Sequence, residues 1–119
     1  MARADRVINE RNGSEVLSRL STAEGRWGAF KGLMFDASLP ADQGLLFAPA
    51  RGIHTQFMRF PIDLIFLDEA NRVVQIREAM QPWRLDFSRA ASVIEANAGT
   101  AQRAGLAVGD QLRYEPGVA

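Results

Sequence analysis

The sequence predicts a mainly β domain, at the border of α+β, that folds as a small antiparallel β-barrel or sandwich with one or two short helices. Apolar runs of strand length recur along the 119 residues and are separated by turn residues. A chain of this length buries about two-thirds of the surface that its unfolded form exposes, so it can build its own core. The chain has no Cys, so the core is expected to hold the fold without disulfides. We therefore expect a single domain over residues 1–119, with frayed ends at 1–5 and 116–119.

The first predicted element is a β-hairpin near the N-terminus. Asn12-Gly13 is a strong two-residue turn signal because both residues tolerate positive φ, and it joins predicted strands at 6–9 and 14–20. A capping box that starts at Ser21 favours a helix over 22–30, because the Ser hydroxyl and the Glu three residues later satisfy free amides.

The middle of the chain has the clearest strand pattern. A strand over 53–60 ends at Pro61, which cannot donate to a ladder, and an apolar strand over 62–68 follows. The turn at 69–71 joins this strand to another, predicted over 72–77. The remaining assignments are strands at 45–47, 92–96 and 111–114, loops at 48–52 and 81–91, and a short helix over 100–105 that Thr100 would cap.

The charge balance and composition argue against several classes of function. Lys plus Arg number 14 and Asp plus Glu number 14, so the chain lacks the basic excess that nucleic-acid binding usually requires. No window approaches the ~20 apolar residues of a membrane span, and the N-terminus lacks the apolar run of an export signal. One His and no Cys leave few ligands for a metal. We therefore expect a cytoplasmic monomer or weak dimer without metal or cofactor, which binds no nucleic acid or membrane and whose partner is an unknown small molecule or protein.

Several motifs, taken in order, resemble the domain-of-unknown-function 192 family. Their order and spacing carry the resemblance, which implies a compact β-rich fold and brings no established activity. The commonest family form has Phe-Trp-Met-Lys-Asn-Thr before the Pro, whereas this chain has the His-Thr variant His-Thr-Gln-Phe-Met-Arg-Phe at 54–60. Any role of the Lys-Asn-Thr form therefore does not carry over to this chain. The matching segments are 32–35, 44–47, 54–68, 94–100 and 105–110.

Three candidate site residues lie around the predicted corner at Pro61. His54 is the only His, and it is either a general base or phosphate contact near neutral pH or a structural side chain at a strand end. Asp63 interrupts an apolar strand, so its charge needs a partner such as Arg59, Arg84 or a backbone amide. A structural ion pair or turn cap is the favoured interpretation of Asp63 over a catalytic carboxylate.

The other candidates lie in the C-terminal half. Glu95 is placed within an apolar strand, where the same argument about a buried charge applies. If Asp63 and Glu95 shared a face of neighbouring strands, they would form a carboxylate pair with one raised pKa. Trp83 and Arg84 follow a proline in a loop, where they either line a binding groove or, for Trp83, plug one end of the barrel.

These residues leave three hypotheses for function, because no reaction motif is present and catalysis stays open, with a non-catalytic role favoured. The first is a binding or accessory module with its polar site at one barrel mouth, formed by His54, Arg59, Asp63, Trp83, Arg84 and Glu95. The second is a small hydrolase or carbohydrate-active enzyme that uses Asp63 and Glu95. The third is a structural partner domain that pairs through an exposed strand edge.

Overall fold

The computed structural model describes residues 4–22, 42–48, 50–54, 61–80 and 85–116. Within these ranges the chain forms nine strands and one short helix, which confirms the mainly β class. The elements are β1 (Ala4–Asn9), β2 (Glu15–Thr22), β3 (Gln43–Phe47), β4 (Ala50–His54), β5 (Ile62–Leu67), β6 (Val73–Met80), β7 (Leu85–Ala90), β8 (Ser92–Asn97), α1 (Thr100–Arg103) and β9 (Leu112–Pro116).

Seven of these strands form one curled sheet, a half-barrel, in the order β6-β5-β8-β3-β2-β1-β9. The two outer strands approach each other at one corner, where Arg72 bridges to Gln111 and the Leu112 amide donates to the Asn71 carbonyl at 3.0 Å. Strands β4 and β7 form a separate antiparallel pair. Among the described ladders, β2 with β3 is parallel and the others are antiparallel, so the predicted antiparallel sheet contains one parallel pair.

The two predicted hairpins are confirmed. Gly13 has a φ of 71°, and the Asn9 amide donates to the Ser14 carbonyl at 2.9 Å to close the first hairpin. In the second hairpin, Asn71 has a φ of 63°. The carboxylate of Asp68 accepts hydrogen bonds from the amides of Ala70 and Arg72 there, which is the local bonding that favours Asp at turns.

Strand alternation divides the apolar core into two clusters on opposite faces of the sheet. The large cluster draws on both ends of the sheet and on α1, and consists of Val7, Val16, Leu17, Leu20, Ile65, Leu67, Val73, Ile94, Ala96, Ala104 and Leu112. The small cluster lies on the other face of β5 and β8, and consists of Ile62, Leu64, Phe66 and Val93. Because β5 contributes to both clusters, all six of its residues are buried.

Some predicted elements differ from the structure. The loops predicted at 48–52 and 81–91 were wrong in part, because β4 begins at Ala50 and β7 occupies Leu85–Ala90. These two strands pair with each other across the chain, so a long-range ladder forms where the local sequence lacks clear alternation. The helix predicted over 22–30 lies largely outside the described residues, and its first residue is the last of β2. Strands also include Ala4, Asp5 and Pro116, where frayed ends were expected.

Candidate functional site

Within the described residues, the buried carboxylate of Asp63 accepts hydrogen bonds from three backbone amides. Asp63 has no exposed surface, and it lies on β5 on the face of the sheet that carries the large cluster. Its Oδ1 accepts a hydrogen bond from the Ala79 amide at 2.8 Å, and its Oδ2 accepts from the amides of Gly99 and Ala101 at 3.2 and 3.0 Å. A backbone amide was one of the partners expected for Asp63, and the three amides found here come from β6 and from the start of α1.

This arrangement replaces the predicted helix cap. Thr100 was expected to cap the short helix, but the N-cap residue is Gly99, with a φ of 96°, and no side chain of the helix itself caps it. The amides that a local cap would satisfy instead reach Asp63 on a distant strand. The prediction for Thr100 was wrong because a buried carboxylate supplied by tertiary structure fulfils the capping role.

Glu95 is one of two described residues with a buried side-chain oxygen that lacks a hydrogen-bond partner, and the other is Tyr114. It lies on β8 between Leu64 of β5 and Leu45 of β3 in the cross-strand register. Only 4% of its surface is exposed, and within the described part of the chain its Oε2 atom has no hydrogen-bond partner. Burial away from water raises the pKa of the Glu95 carboxyl from 4.5 to about 8. At neutral pH this side chain is therefore mainly a neutral acid inside an apolar face.

Among the residues whose side chains are described, the cross-strand neighbours of Glu95 on this face are the apolar Leu64 and Leu45. Residues directly opposite one another in the ladders share a face, so Arg77, Leu64, Glu95 and Leu45 form one row across four strands. Arg77 is exposed at the edge strand β6, and Leu64 separates it from Glu95. The buried small cluster lies on the same face, and the half-buried Leu45 and Phe47 pack against it.

The register of β5 and β8 does not give Asp63 and Glu95 the shared face on which the conditional carboxylate pair depended. Asp63 pairs with Ala96, one residue along from Glu95, and successive residues of a strand point to opposite faces. Asp63 therefore points toward α1 and the large cluster, while Glu95 points toward the small cluster. The hypothesis of a paired-carboxylate hydrolase is wrong in its geometry, because the sheet itself separates the two groups.

A second polar cluster, which the sequence analysis did not identify, surrounds Asp110. Its carboxylate accepts hydrogen bonds from the Asn9 amide group at 2.9 Å, from the Ala107 backbone amide at 2.8 Å and from Arg11 Nε at 2.6 Å. These bonds, with that from Arg11 the largest cause, lower the pKa of Asp110 from 3.8 to about 2. The Gly109-Asp110 turn was the available signal, but the side-chain partners of Asp110 come from the first hairpin, about a hundred residues earlier in the chain.

The remaining candidates are placed only in part. His54 is the last residue of β4 and pairs with Leu85 of β7, whereas Arg59, Trp83 and Arg84 lie outside the described residues. In the ranges that the structure covers, no group of three or more His, Asp or Glu side chains lies together as a metal site would require. The one helix in those ranges has four residues, and no candidate membrane span is found there.

Comparisons with known proteins find similarity to two UPF0127 proteins. A UPF0127 protein from Thermococcus sibiricus is 29% identical over 119 residues, which cover 92% of this chain and 74% of that protein. A UPF0127 protein from Thermococcus kodakarensis is 30% identical over 118 residues, with 92% and 73% of the two chains covered.

A solved structure has the same fold. The crystal structure of a protein from Sinorhizobium meliloti 1021, provisionally described as a transcription regulator, has a TM-score of 0.80 and 26% sequence identity to this chain. The match covers 96% of this chain and 94% of that one. The sequence profile of the domain-of-unknown-function 192 family, described as uncharacterized ACR, matches residues 7–114, so the chain belongs to this family, as its motifs indicate.

Proposed function

We propose that this protein is a non-catalytic binding module whose small organic ligand is anchored by the carboxyl group of Glu95. The observation that carries the proposal is the buried Oε2 atom of Glu95, which has no hydrogen-bond partner among the described residues. A buried polar atom without a partner costs about 1–3 kcal/mol of folding free energy. A ligand that donates a hydrogen bond to this atom recovers that energy on binding, so the cost becomes part of the binding affinity.

The surroundings of Glu95 favour a ligand with an apolar body. Leu45 and Phe47 are only half-buried, and they pack against the buried small cluster beside Glu95. An apolar wall with few polar groups is typical of small-molecule sites, where the polar groups fix the orientation of the ligand. Binding and catalytic sites also often contain a buried ionisable group among apolar side chains, and the pKa of such a group is strongly shifted.

Four residues from the sequence analysis are proposed to complete this site: His54, Arg59, Trp83 and Arg84. Support comes from the position of the β4–β7 pair, because Ala90 at the end of β7 packs against the small cluster on the Glu95 side of the sheet. His54 belongs to the strand that pairs with β7. Asp63 is removed from the proposed site, because its carboxylate points to the other face and is occupied by backbone amides.

The non-catalytic form of the proposal is supported by the separation of Asp63 from Glu95. A paired general acid and base would need both carboxyl groups on one face of the sheet, and the register puts them on opposite faces. We also propose a cytoplasmic location and a monomer or weak dimer, which a Cys-free chain permits.

The description of the Sinorhizobium meliloti protein as a transcription regulator suggests nucleic acid as a second class of partner. The equal numbers of basic and acidic residues in this chain, 14 of each, weigh against strong phosphate binding. Double-stranded DNA therefore belongs in the ligand screen as a competing outcome.

The test is a thermal-shift screen of the wild-type protein against sugars, nucleotides, amines, carboxylic acids, short peptides and duplex DNA. Two variants run in parallel: Glu95→Gln, which removes the acid but keeps its size, and Glu78→Gln, a matched change at an exposed position of β6. A ligand at roughly a hundred times its Kd adds roughly 2.7 kcal/mol, which raises the Tm by several degrees.

We expect a shift that Glu78→Gln retains and Glu95→Gln loses. The proposal is overturned if no compound shifts the Tm, or if every shift survives in Glu95→Gln. A shift produced by peptides or DNA alone, and independent of Glu95, would favour the strand-edge or the nucleic-acid alternative.

A further inference from the structure

We propose that Asn12 is a modification site, whose side-chain amide is hydrolysed when the first hairpin opens and is protected while the hairpin is closed. The product prevents the hairpin from closing as before, so the change records that the protein has opened. The site lies in the turn between β1 and β2, where Asn12 precedes Gly13. It shares no residue with the proposed ligand site around Glu95.

Deamidation of Asn12 needs water as its only co-reactant. The backbone nitrogen of Gly13 loses its proton and attacks Cγ of Asn12, the side-chain nitrogen leaves as ammonia, and a cyclic imide forms. Water then adds to one imide carbonyl and breaks its C–N bond, which gives aspartate or isoaspartate. Glycine favours the attack because it has no Cβ atom beside the reacting nitrogen. Of the four Asn residues in the sequence, Asn12 is the one that Gly follows.

Hydrogen bonds hold both reacting groups in the folded protein. The Gly13 amide donates its proton to the carbonyl oxygen of Asn9 at 2.7 Å. The side chain of Asn12 is held at both ends, because Nδ2 donates to the Ala104 carbonyl oxygen at 2.9 Å and Oδ1 accepts from the Ser14 amide at 2.9 Å. Asn12 is exposed to water, so these bonds, and not burial, protect it.

The Asn12 side chain is part of a set of hydrogen bonds, here called the clasp, that joins the first hairpin to the loop at 104–110. The clasp consists of the bonds from Asn9 and Arg11 to Asp110, from Arg11 to Gly105, and from Asn12 and Ser14 to Ala104. Arg11 and Asn12 are exposed, and exposed hydrogen bonds of surface turns are among the first to open in a native protein. We therefore expect the clasp to open without unfolding of the sheet.

The product of deamidation does not restore the clasp. At neutral pH an aspartate side chain at position 12 is an ionised acceptor, so it has no donor for the Ala104 carbonyl oxygen that Asn12 contacts. Isoaspartate also adds a carbon atom to the backbone within the turn. The ammonia has left, so closing the hairpin does not regenerate the amide. Each product therefore weakens the clasp permanently.

The experiment measures deamidation of the full chain at neutral pH by peptide mass spectrometry, with isoaspartate quantified by enzymatic methylation. Wild type is incubated in guanidinium chloride at concentrations below and above its unfolding transition. Asn71 and Asn97, each followed by a residue with a Cβ atom, are internal references in every sample.

Two variants separate protection by the clasp from protection by the fold in general. Arg11→Gln removes the charged bond to Asp110 and leaves Asn12 and Gly13 unchanged in sequence. Arg19→Gln is the matched control, at an exposed position of β2 outside the clasp. Each variant is also measured above its own unfolding transition, so that any direct effect of the substitution on the reaction is known.

We expect Asn12 to react faster than Asn71 and Asn97 in the unfolded chain, and at least roughly ten-fold more slowly in folded wild type than in unfolded wild type. Arg11→Gln should raise the folded rate several-fold and leave the unfolded rate unchanged, whereas Arg19→Gln should change neither. Asn12→Asp should have a lower Tm than wild type at neutral pH. This deficit should shrink in acid, where the protonated carboxyl group can donate a hydrogen bond.

The proposal is overturned if Asn12 reacts as fast in the folded protein as in the unfolded chain, or if it is not the fastest of the three sites in the unfolded chain. Equal folded rates for Arg11→Gln and Arg19→Gln would also exclude it, because the clasp would then give no protection of its own. If Asn12→Asp is as stable as wild type at every pH, the product closes the hairpin normally and the proposed record of opening is excluded.

Discussion

The carboxylate of Asp63 accepts a hydrogen bond from the backbone amide of Ala79 at 2.8 Å, across an irregularity in the ladder between β5 and β6. The same carboxylate accepts from two amides at the start of α1. One buried side chain thus joins the edge strand, the strand beside it and the helix. Asp63 itself has no exposed surface, so its carboxylate is shielded from water in all three bonds, and the bond from Ala101 is buried at both ends.

The first prediction concerns this carboxylate. Asp63→Asn should lower the free energy of unfolding by about 2–4 kcal/mol, because one acceptor oxygen becomes an NH2 donor that faces backbone N–H donors. Urea unfolding measures the change. The control is Asp68→Asn, whose Oδ1 acts as acceptor for the amides of Ala70 and Arg72 and is retained in Asn. Similar losses in both variants would contradict a special role for Asp63.

The second prediction concerns the backbone at Ala79, which has a φ of 50°. A β-branched side chain is strongly disfavoured in this region, so Ala79→Val should lose roughly 1–2 kcal/mol, whereas Ala79→Gly should be at least as stable as wild type. Glu78→Val, at the preceding exposed position without positive φ, is the control. If Ala79→Val unfolds at the same urea concentration as Glu78→Val, the conformation at Ala79 is not strained.

The third prediction concerns Gly44, where β3 lies close to its neighbours. A Cβ atom at this position would lie 2.6 Å from Leu17 Cδ1 and 3.0 Å from the carbonyl oxygen of Glu95. Gly44→Ala should therefore cost about 1–3 kcal/mol through overpacking. In a Leu17→Ala background the added cost should be smaller, because the Leu17 methyl group is gone. A double-mutant cycle by urea unfolding measures this coupling, and additive losses would count against the steric explanation.

The fourth prediction is a pH dependence of stability caused by Glu95. Its pKa is raised from 4.5 to about 8, so between these values the folded state holds a proton that the unfolded state has lost. The stability associated with the neutral acid is therefore complete below 4.5 and is lost as the pH rises through 8. Across this window the slope should be about 1.4 kcal/mol per pH unit.

Urea unfolding of wild type and Glu95→Gln between about pH 5 and about pH 9 isolates the contribution of Glu95 ionisation to the free energy of unfolding. All other titrating groups are shared by the two proteins. Relative to wild type, Glu95→Gln should become steadily more stable with rising pH and then reach a plateau. A difference between the two proteins that stays constant over this range would show that Glu95 ionises as it does in the unfolded chain.

The fifth prediction has the opposite sign and concerns Asp110. Hydrogen bonds from Arg11, Ala107 and Asn9 help to lower its pKa to about 2 from 3.8. Its contribution to stability is therefore complete above 3.8 and is lost as the pH falls through 2. In acid unfolding followed by circular dichroism, the stability advantage of wild type over Asp110→Asn should shrink over this range. An advantage that does not change with pH would contradict the bonding around Asp110.

The sequence predicted the elements whose signals are local. Gly13 and Asn71 supply the positive φ that tight turns need, so both hairpins could be placed without knowledge of their neighbours. The apolar run of β5 is of strand length and buried on both faces, which its composition indicates. Strand β7 and the first part of β4 escaped prediction because their pairing joins residues 31 to 40 positions apart, and nothing local requires it. The strand predicted over 53–60 overlaps only the end of β4, and residues 55–60 lie outside the described part of the chain.

The sequence identified individual residues of the candidate site but not their positions relative to one another. The sequence alone determined that Asp63 and Glu95 are acidic residues within apolar strands. Each carboxyl group must therefore find a hydrogen-bonding or charged partner, or its burial costs folding free energy. Only the tertiary structure decided which outcome applies to each. The β5–β8 register pairs Asp63 with Ala96 and not with Glu95, and a shift of one residue changes the face to which a side chain points. That register turned one carboxylate toward the amides of β6 and α1 and the other toward an apolar face, because strand pairing is set by the packing of the whole sheet.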